Sequence, residues 1–472
     1  MQKSLTAYFG DKKITSIQYL AQAGSDRKYA RVIVDDISYI LCESNNVKEN
    51  ETFFYFASFF KSHGIPVPQV LYVSDDKTCY IQEDGGSKSL LDEVLQNGHT
   101  DAIFQVYKNT ISSLVKMQLI GGEALDFSKC YASAAFDKQA VLADLNYFKY
   151  YFLDLQKLNY NKADLNNEFE ELATLIENIT PPYFMYRDFQ GRNMMMQNQQ
   201  VTFIDFQGGM KGPLQYDIAS LLWQAKAQLP ITWKKELYQH YKEEVQQKIS
   251  IDAALFDTQY SLIVLVRLLQ VLGAYGLRGI IEQRTHFLSS IPLGLANIQE
   301  WLTQYDAKQF PELQKLLAYL STEIDREKYS FPVANDSTKL KVIVQSFSYK
   351  KGLPADESGN GGGFMFDCRG ILNPGRFEEY KKRTGRDESV IAFLETKTKV
   401  NEFLHHAKQV IDISIEDYLT RGFESLIISF GCTGGQHRSV YCTDAMAKHL
   451  KEKYNIQATV KHLIQDEKNW VN

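Results

Sequence analysis

The sequence predicts two folded units: an α+β unit made of a small β-rich lobe and a large helical lobe, then a separate small α/β domain. Three observations predict this. Residues 14–43 alternate apolar and polar side chains in strand fashion. From the end of the β-rich stretch to about residue 320 the pattern is helical apart from one strand pair, and after 340 strands and helices alternate, as in a small open sheet. A chain of 472 residues is also too long for one ordinary core, and its 44% hydrophobic content is enough to fill more than one.

The elements follow in order. AGSDRKYARV forms a hairpin around Gly24, and SYILCE adds a strand. ENETFFYFASFFKSHG repeats aromatic residues at helical spacing and stops at Gly64, before the turn residues of IPVPQ. The strands VLYVS and TCYIQE lead to Asp84-Gly85-Gly86. The strand pair that interrupts the helical region lies in MYRDFQGRNMMMQNQQVTFIDFQGG. Over 321–339 periodicity disappears and charge, Pro and Asn mix, which marks a linker between a unit at 1–320 and one at 340–472. The second unit should run as strand (KLKVIVQSFSY), glycine-rich loop (ESGNGGGF), helix near 376–384, helix near 389–408, strand (SLIISF), loop, helix (SVYCTDAMAKHLKEK) and a last strand near QATVKHL.

With 52 basic and 57 acidic residues, a formal net charge of -5, the chain has no general attraction for nucleic acid or an anionic membrane. Any anion site must be local. The opening MQKSLTAYFGDKKI has no apolar signal core, and the most apolar window, 261–280, carries Arg267 and Arg278 and reads as a buried helix, so no membrane partner is expected. Six cysteines (42, 79, 130, 368, 432, 442) show neither C-x-x-C pairs nor zinc-finger spacing, which fits reduced thiols and a cytoplasmic location.

YRDFQGRN at 186–193, followed by IDFQ, is the most specific signal. Phosphoryl transfer needs a carboxylate to orient the attacking hydroxyl, and hard oxygen ligands for Mg2+ on the phosphates of ATP. Asp188 suits the first role; Asn193 and Asp205 suit the second. Short acidic residues also serve as turn and cap residues, but here the spacing, the flanking strands and the upstream β-rich lobe come in the order of a kinase catalytic loop, with Tyr186 where a histidine is usual.

On GSDRKYARV, PVPQVLYVS, EDGG, YRDFQGRN and IDFQGGMKGPLQYDIASLL, residues 1 to about 320 resemble the aminoglycoside phosphotransferase family, more closely its branch that phosphorylates N-acetylmuramate and N-acetylglucosamine at the anomeric position. The resemblance implies an α+β bilobal kinase-like fold, nucleotide binding around Gly24 and Ser25, Glu83 and Asp84 at an adenine hinge, and Asp217 as a structural aspartate. The sequence departs from the wider kinase pattern at Cys42, where a phosphate-binding lysine is expected, and Arg27 and Lys28 are candidates to replace it. Tyr147, Tyr150, Tyr151, Gln207 and Trp223 are candidate sugar contacts, although helical aromatics more often belong to a core.

On SFSYKKGLP, GFMFDCRGILNP, RTGRD and GCTGGQHRSV, residues 340–472 resemble the C-terminal domain of the RapZ family, adapter proteins that sense glucosamine-6-phosphate and in some bacteria bind small RNA. The family's usual P-loop partner is absent. The resemblance implies a phosphosugar pocket from Asp367, Arg369, Cys432, Thr433, Gly434, Gly435, Gln436, His437 and Arg438; Gly375 stands where the family often has a histidine. A glycine-rich turn entering a helix suits an anion.

The same turn has the C-x-x-G-x-x-R-S spacing of a cysteine-phosphatase cradle through Cys432, Gly435, Arg438 and Ser439. Against that reading, Gly431 replaces the histidine before the nucleophile and no W-P-D-like loop occurs, leaving Asp367 as the one candidate acid. For RNA, the domain has 19 basic and 17 acidic residues, with a run at Lys381, Lys382, Arg383 and Arg386. The expected function is an ATP-dependent kinase of an amino sugar or related sugar with a phosphosugar-binding regulatory domain. The alternatives are a regulatory or RNA-binding adapter whose kinase lobe only senses nucleotide, and a kinase with a C-terminal phosphatase.

Overall fold

The computed structural model describes residues 2–20, 27–131, 133–197, 200–282, 284–329, 333–335, 337–355 and 363–467. The chain divides into two compact units, Met1–Asp325 and Arg326–Asn472.

The first unit begins with helix α1 (Gln2–Phe9) and an antiparallel sheet of β1 (Ile14–Tyr19), β2 (Lys28–Val34), β3 (Ile37–Glu43), β4 (Val70–Val73) and β5 (Cys79–Glu83), in spatial order β1-β2-β3-β5-β4. Asp35 and Asp36 both take positive φ, which makes the two-residue turn that twists β2 onto β3. Ala30, Val32, Val34, Leu41 and Ile81 point inward and pack with Leu5 and Phe9 of α1, a helix the sequence reading did not anticipate. The hairpin segment 21–26, with Gly24 and Ser25, lies outside the described residues.

Helix α2 (Val47–Ser62) starts at Asn46, whose side chain caps Glu49 N–H. Its aromatic face is buried: Phe53 stacks on Phe206 at 5.1 Å and Phe60 meets Phe184 at 4.8 Å. The helix is thereby clamped to the two segments that carry the DFQ and YRD motifs.

The larger lobe comprises α3 (Leu90–Asn97), α4 (Asp101–Ala124), α5 (Lys138–Phe148), α6 (Lys162–Glu177), α7 (Gln215–Leu222), α8 (Ile231–Gln246), α9 (Ala253–Tyr275), α10 (Thr285–Leu288), α11 (Ile291–Gln304) and α12 (Pro311–Thr322). Five short strands cross it: β6 (Lys88–Ser89), β7 (Tyr183–Met185), β8 (Met194–Gln197), β9 (Gln200–Phe203) and β10 (Met210–Gly212). β7 pairs with β10 and β8 with β9, which brings the loops after β7 and β9 together. α9 is long and apolar enough to cross a membrane by composition, yet residues 262–269 are all buried in the lobe as its central helix.

The second unit is a parallel sheet of β11 (Lys341–Ser348), β12 (Phe364–Asp367), β13 (Ser425–Cys432) and β14 (Thr459–His462), in order β12-β13-β11-β14. Around it lie α13 (Glu388–Lys397), α14 (Val400–Arg421), α15 (Arg438–Tyr454) and α16 (Leu463–Glu467). Parallel pairing puts Ser348, Asp367, Cys432 and His462 at the carboxyl edge, where open α/β sheets bind ligands.

Two expected helices differ. The segment expected as a helix at 376–384 forms short 3-10 turns at Pro374–Arg376 and Glu378–Tyr380. Its carbonyls are used elsewhere: Gln436 Nε2 donates to the oxygens of Lys381 and Arg383, and His437 Nε2 bonds that of Tyr380. The helix expected at 389–408 is two, α13 and α14, and the second runs on to Arg421. Thr398 divides them, its hydroxyl donating to Leu394 O while it accepts from Val400 N. Residues 356–362, most of the expected glycine-rich loop, lie outside the described residues.

Candidate active site

The loop between β7 and β8 is held from below by Asp217 of α7. Its carboxylate accepts N–H bonds from Tyr186 at 2.8 Å and Arg187 at 3.1 Å, and a third at 3.0 Å from Gln118, which in turn accepts from Tyr241. Burial pushes Asp217 up to about 7 even though these donors favour its charged form. Tyr186, in the usual histidine position, is fully buried and its hydroxyl donates to Ile204 O, tying the loop to the residue before Asp205. Arg187 takes positive φ, pairs with Asp144 at 2.8 Å and stacks on Phe136.

This frame gathers Asp188, Asn193 and Asp205 beside one another. Asn193 Nδ2 donates to Asp188 O at 2.9 Å, which commits its nitrogen and leaves Oδ1 as the acceptor. Asp205, also at positive φ, accepts from Gln207 at 2.7 Å through Oδ1. Two hard oxygens, Asn193 Oδ1 and Asp205 Oδ2, suit Mg2+, which commonly uses one or two protein ligands and completes its shell with water and phosphate. No group of three or more His, Cys, Asp or Glu side chains is disposed for an all-protein metal cage among the described residues.

Asp188 accepts from Arg267 Nη2 at 3.3 Å. Burial would raise its carboxyl, but Arg267, Arg192 and Arg187 together hold it below the ordinary carboxylate range. Burial and the nearby Asp188 charge push Asp205 up, against the Gln207 bond.

The question raised by Cys42 has a geometric answer. Cys42 is buried beside Tyr29 and Tyr80, and burial pushes its thiol up to about 11. Arg27 stands just before β2. Its guanidinium is buried, pairs with Glu49 of α2 at 2.6 Å and reaches within 4.0 Å of Asp205. Lys28, its neighbour, is exposed and opens β2, an interior strand.

Glu83 and Asp84 lie at the link between the lobes, but their carboxylates are engaged structurally. Asp84 binds Arg31 at 2.5 Å and Ser38 at 2.6 Å; Glu83 binds Lys61 at 2.7 Å and Gln69 N at 2.9 Å. Among the sugar-contact candidates, Trp223 donates to Tyr260 inside the core and Tyr150 is exposed; Tyr147 and Tyr151 form an edge-to-face pair at 4.9 Å, and Gln207 serves Asp205.

Sequence reasoning missed Glu49 and the role of Arg267. A signal for the second existed, since a lone arginine in an apolar helix needs a buried partner.

In the second unit, Cys432 ends β13 and Arg438 opens α15. Cys432 Sγ accepts from Gly435 N and contacts Ser439 Oγ, each at 3.2 Å. Burial would raise the thiol, but Ser439, Arg438 and Gly435 bring it below its ordinary value. Gly435 has φ +68°, and a Cβ there would meet Ile464 at 2.5 Å, so the turn needs glycine. Ser348 Oγ donates to Thr433 O at 2.8 Å, anchoring the loop. Arg438 Nη1 donates to Arg369 O and Ile371 O at 3.0 and 2.6 Å. Asp367 and Arg369 form an exposed ion pair at 2.7 Å, with Arg369 stacked 3.9 Å over Tyr349. Gly375 packs against His437, where a Cβ would come within 3.2 Å of the ring.

The basic run is largely committed: Lys381 pairs with Glu378, Arg383 donates to Ser389, and Arg386 binds Asp444 at 2.9 Å.

Residues 16–249 match the model of the phosphotransferase enzyme family, and residues 340–465 that of the RapZ C-terminal domain. Among curated relatives, a nucleotide-binding protein of Thermosipho africanus is 35% identical over 131 residues, 28% of this chain and 45% of that protein. One of Acinetobacter baylyi is 37% identical over 134 residues, 28% of this chain and 44% of that protein. The chain thus spans less than half the length of these relatives. Among solved structures, amicoumacin kinase in complex with AMP-PNP, Ca2+ and Ami is 12% identical, covers 70% of this chain and 100% of its own, and has a TM-score of 0.44. The apo form of a thermostable mutant of aminoglycoside phosphotransferase APH(4)-Ia is 16% identical, with coverages of 64% and 99% and a TM-score of 0.43. The chain therefore joins a phosphotransferase enzyme family domain, in its first unit, to a RapZ C-terminal domain in its second.

Proposed function

We propose that the first unit is an ATP- and Mg2+-dependent phosphotransferase that phosphorylates a hydroxyl of an amino sugar, and that the second unit binds a phosphosugar and adjusts the first. The observation that carries it is the grouping of Asp188, Asn193 and Asp205, with Arg27, paired to Glu49, within 4.0 Å of Asp205. Asp188, kept ionised by three arginines, orients the acceptor hydroxyl and takes up its proton. Asn193 and Asp205 would hold Mg2+, which when bound offsets charge on the phosphates. Arg27, fixed by Glu49, does the work of the absent lysine, and the backbone after β5 receives the adenine. The six cysteines are free, which supports a cytoplasmic setting.

Arg27→Ala should raise the KM for ATP by about tenfold or more, whereas Lys28→Ala should leave it near wild type. Steady-state kinetics with varied ATP check this, and equal effects of the two would overturn the assignment.

The acceptor class follows from charge. Arg192 lies near Asp188, and Lys226 lies near Arg192; burial and then Arg192 lower the Lys226 ammonium. Cations gathered beside Asp188 favour an acceptor with an acidic substituent over a polycation. In an ADP-release assay with a sugar panel, N-acetylmuramate should have a higher kcat/KM than N-acetylglucosamine, and Arg192→Ala should reduce the difference. Absence of turnover above an Asp188→Asn control with every sugar would favour the adapter reading.

A further inference from the structure

We propose that Cys432 is a nucleophile and that the second unit hydrolyses phosphomonoesters, so that the chain carries phosphate-removing as well as phosphate-adding chemistry. The proposal rests on the reading that this unit binds a phosphosugar, and extends it from binding to bond cleavage.

The geometry of one turn carries it. Cys432 Sγ sits at a strand end, accepts from Gly435 N at 3.2 Å and has Ser439 Oγ at the same distance, placed to donate to a thiolate. Such donors stabilise a thiolate both when it attacks and when it leaves. Arg438, the first residue of the 17-residue helix α15, is 4% exposed, and its Nε is buried with no hydrogen-bond partner. A buried guanidinium N–H left unpaired is costly, and a bound oxyanion at the helix N-terminus would satisfy it. Asp367 is the register partner of Gly431, and so stands at the neighbouring strand end beside the cradle. The thiols also differ in character: Cys432 is lowered, while the bond with Cys442 and burial push Cys368 up. A structural thiol has no need of the first arrangement.

The chemistry balances. The Cys432 thiolate attacks phosphorus, an S–P bond forms, and the bond from phosphorus to the ester oxygen breaks. Protonated Asp367 gives its proton to that oxygen, which leaves as an alcohol. Water then attacks phosphorus and gives its proton to the Asp367 carboxylate; the S–P bond breaks, its electron pair returns to sulfur, and inorganic phosphate departs. Arg438 and the loop amides hold the non-bridging oxygens throughout. Asp367 is paired with Arg369 in the free protein, and Arg369 first and then Arg438 hold its carboxyl below the ordinary range; the negative charge of a bound phosphate that drew these guanidiniums would raise the carboxyl and let it carry the proton.

The test uses the full chain with 4-nitrophenyl phosphate and with glucosamine-6-phosphate, following phosphate release and, after acid quenching, the mass of the Cys432 peptide. Phosphate release is expected, with one phosphoryl group on Cys432. Cys432→Ser, with an unchanged unfolding midpoint, should lose at least about a thousandfold in turnover. If that variant unfolds, the phosphocysteine in the wild-type chain decides alone. Turnover that survives Cys432→Ser overturns the proposal. So does the absence of hydrolysis while glucosamine-6-phosphate still raises the unfolding midpoint, and the binding reading then stands. Neither hydrolysis nor a midpoint shift overturns both.

Discussion

Asp188→Asn should lower kcat for phosphoryl transfer by about a thousandfold while changing the affinity for ATP little, because the carboxylate acts on the acceptor hydroxyl and not on the nucleotide. The substitution is nearly isosteric and keeps an oxygen for the Arg267 bond at 3.3 Å, so the fold should persist. What disappears is the charge that three arginines are arranged to preserve. Sugar-dependent ADP release together with direct nucleotide binding separates the two effects. A variant with near-normal kcat would remove Asp188 from the chemistry and transfer the role to another group.

Asp217→Ala should cost both stability and activity. It leaves Tyr186 N–H and Arg187 N–H without their acceptor, a buried carboxylate, while the Gln118 amide keeps Leu214 O. Orphaned buried donors cost roughly 1–3 kcal/mol each, so a destabilisation of about 3 kcal/mol or more is expected. Urea unfolding measures it. Since the same bonds set the loop that carries Asp188, kcat should fall even well below the unfolding midpoint. Full activity in a destabilised Asp217→Ala chain would mean that the loop holds its shape without this anchor.

The two motifs were legible because their residues are close in sequence. Asp188, Asn193 and Asp205 announce themselves by spacing, and the contact of Ser439 with Cys432 follows from seven residues wrapped into one turn. Arg27 was half legible: its position suggested a phosphate contact, but only the fold separates it from Lys28, since one faces Glu49 and the other the solvent. Arg267 lies 79 residues from Asp188, and no local pattern links them. The helix expected at 376–384 failed for a related reason. Its propensity was adequate, but side chains from the loop at 436–437 use the carbonyls that a helix would have used internally. Tertiary bonds of this kind override a local preference whose contribution is only a few tenths of a kcal/mol per residue.

Arg267 also bears on how the chain can change. It is a charged side chain in the apolar, buried stretch of α9, held by Asp188, Ser220 and Gln270. Replacing a buried ion pair with well-packed apolar groups is often neutral or stabilising. A lineage selected for thermal endurance alone would therefore tend to discard this arginine, and one selected for turnover would keep it. Its cost to stability would then be offset by the charge it lends to Asp188.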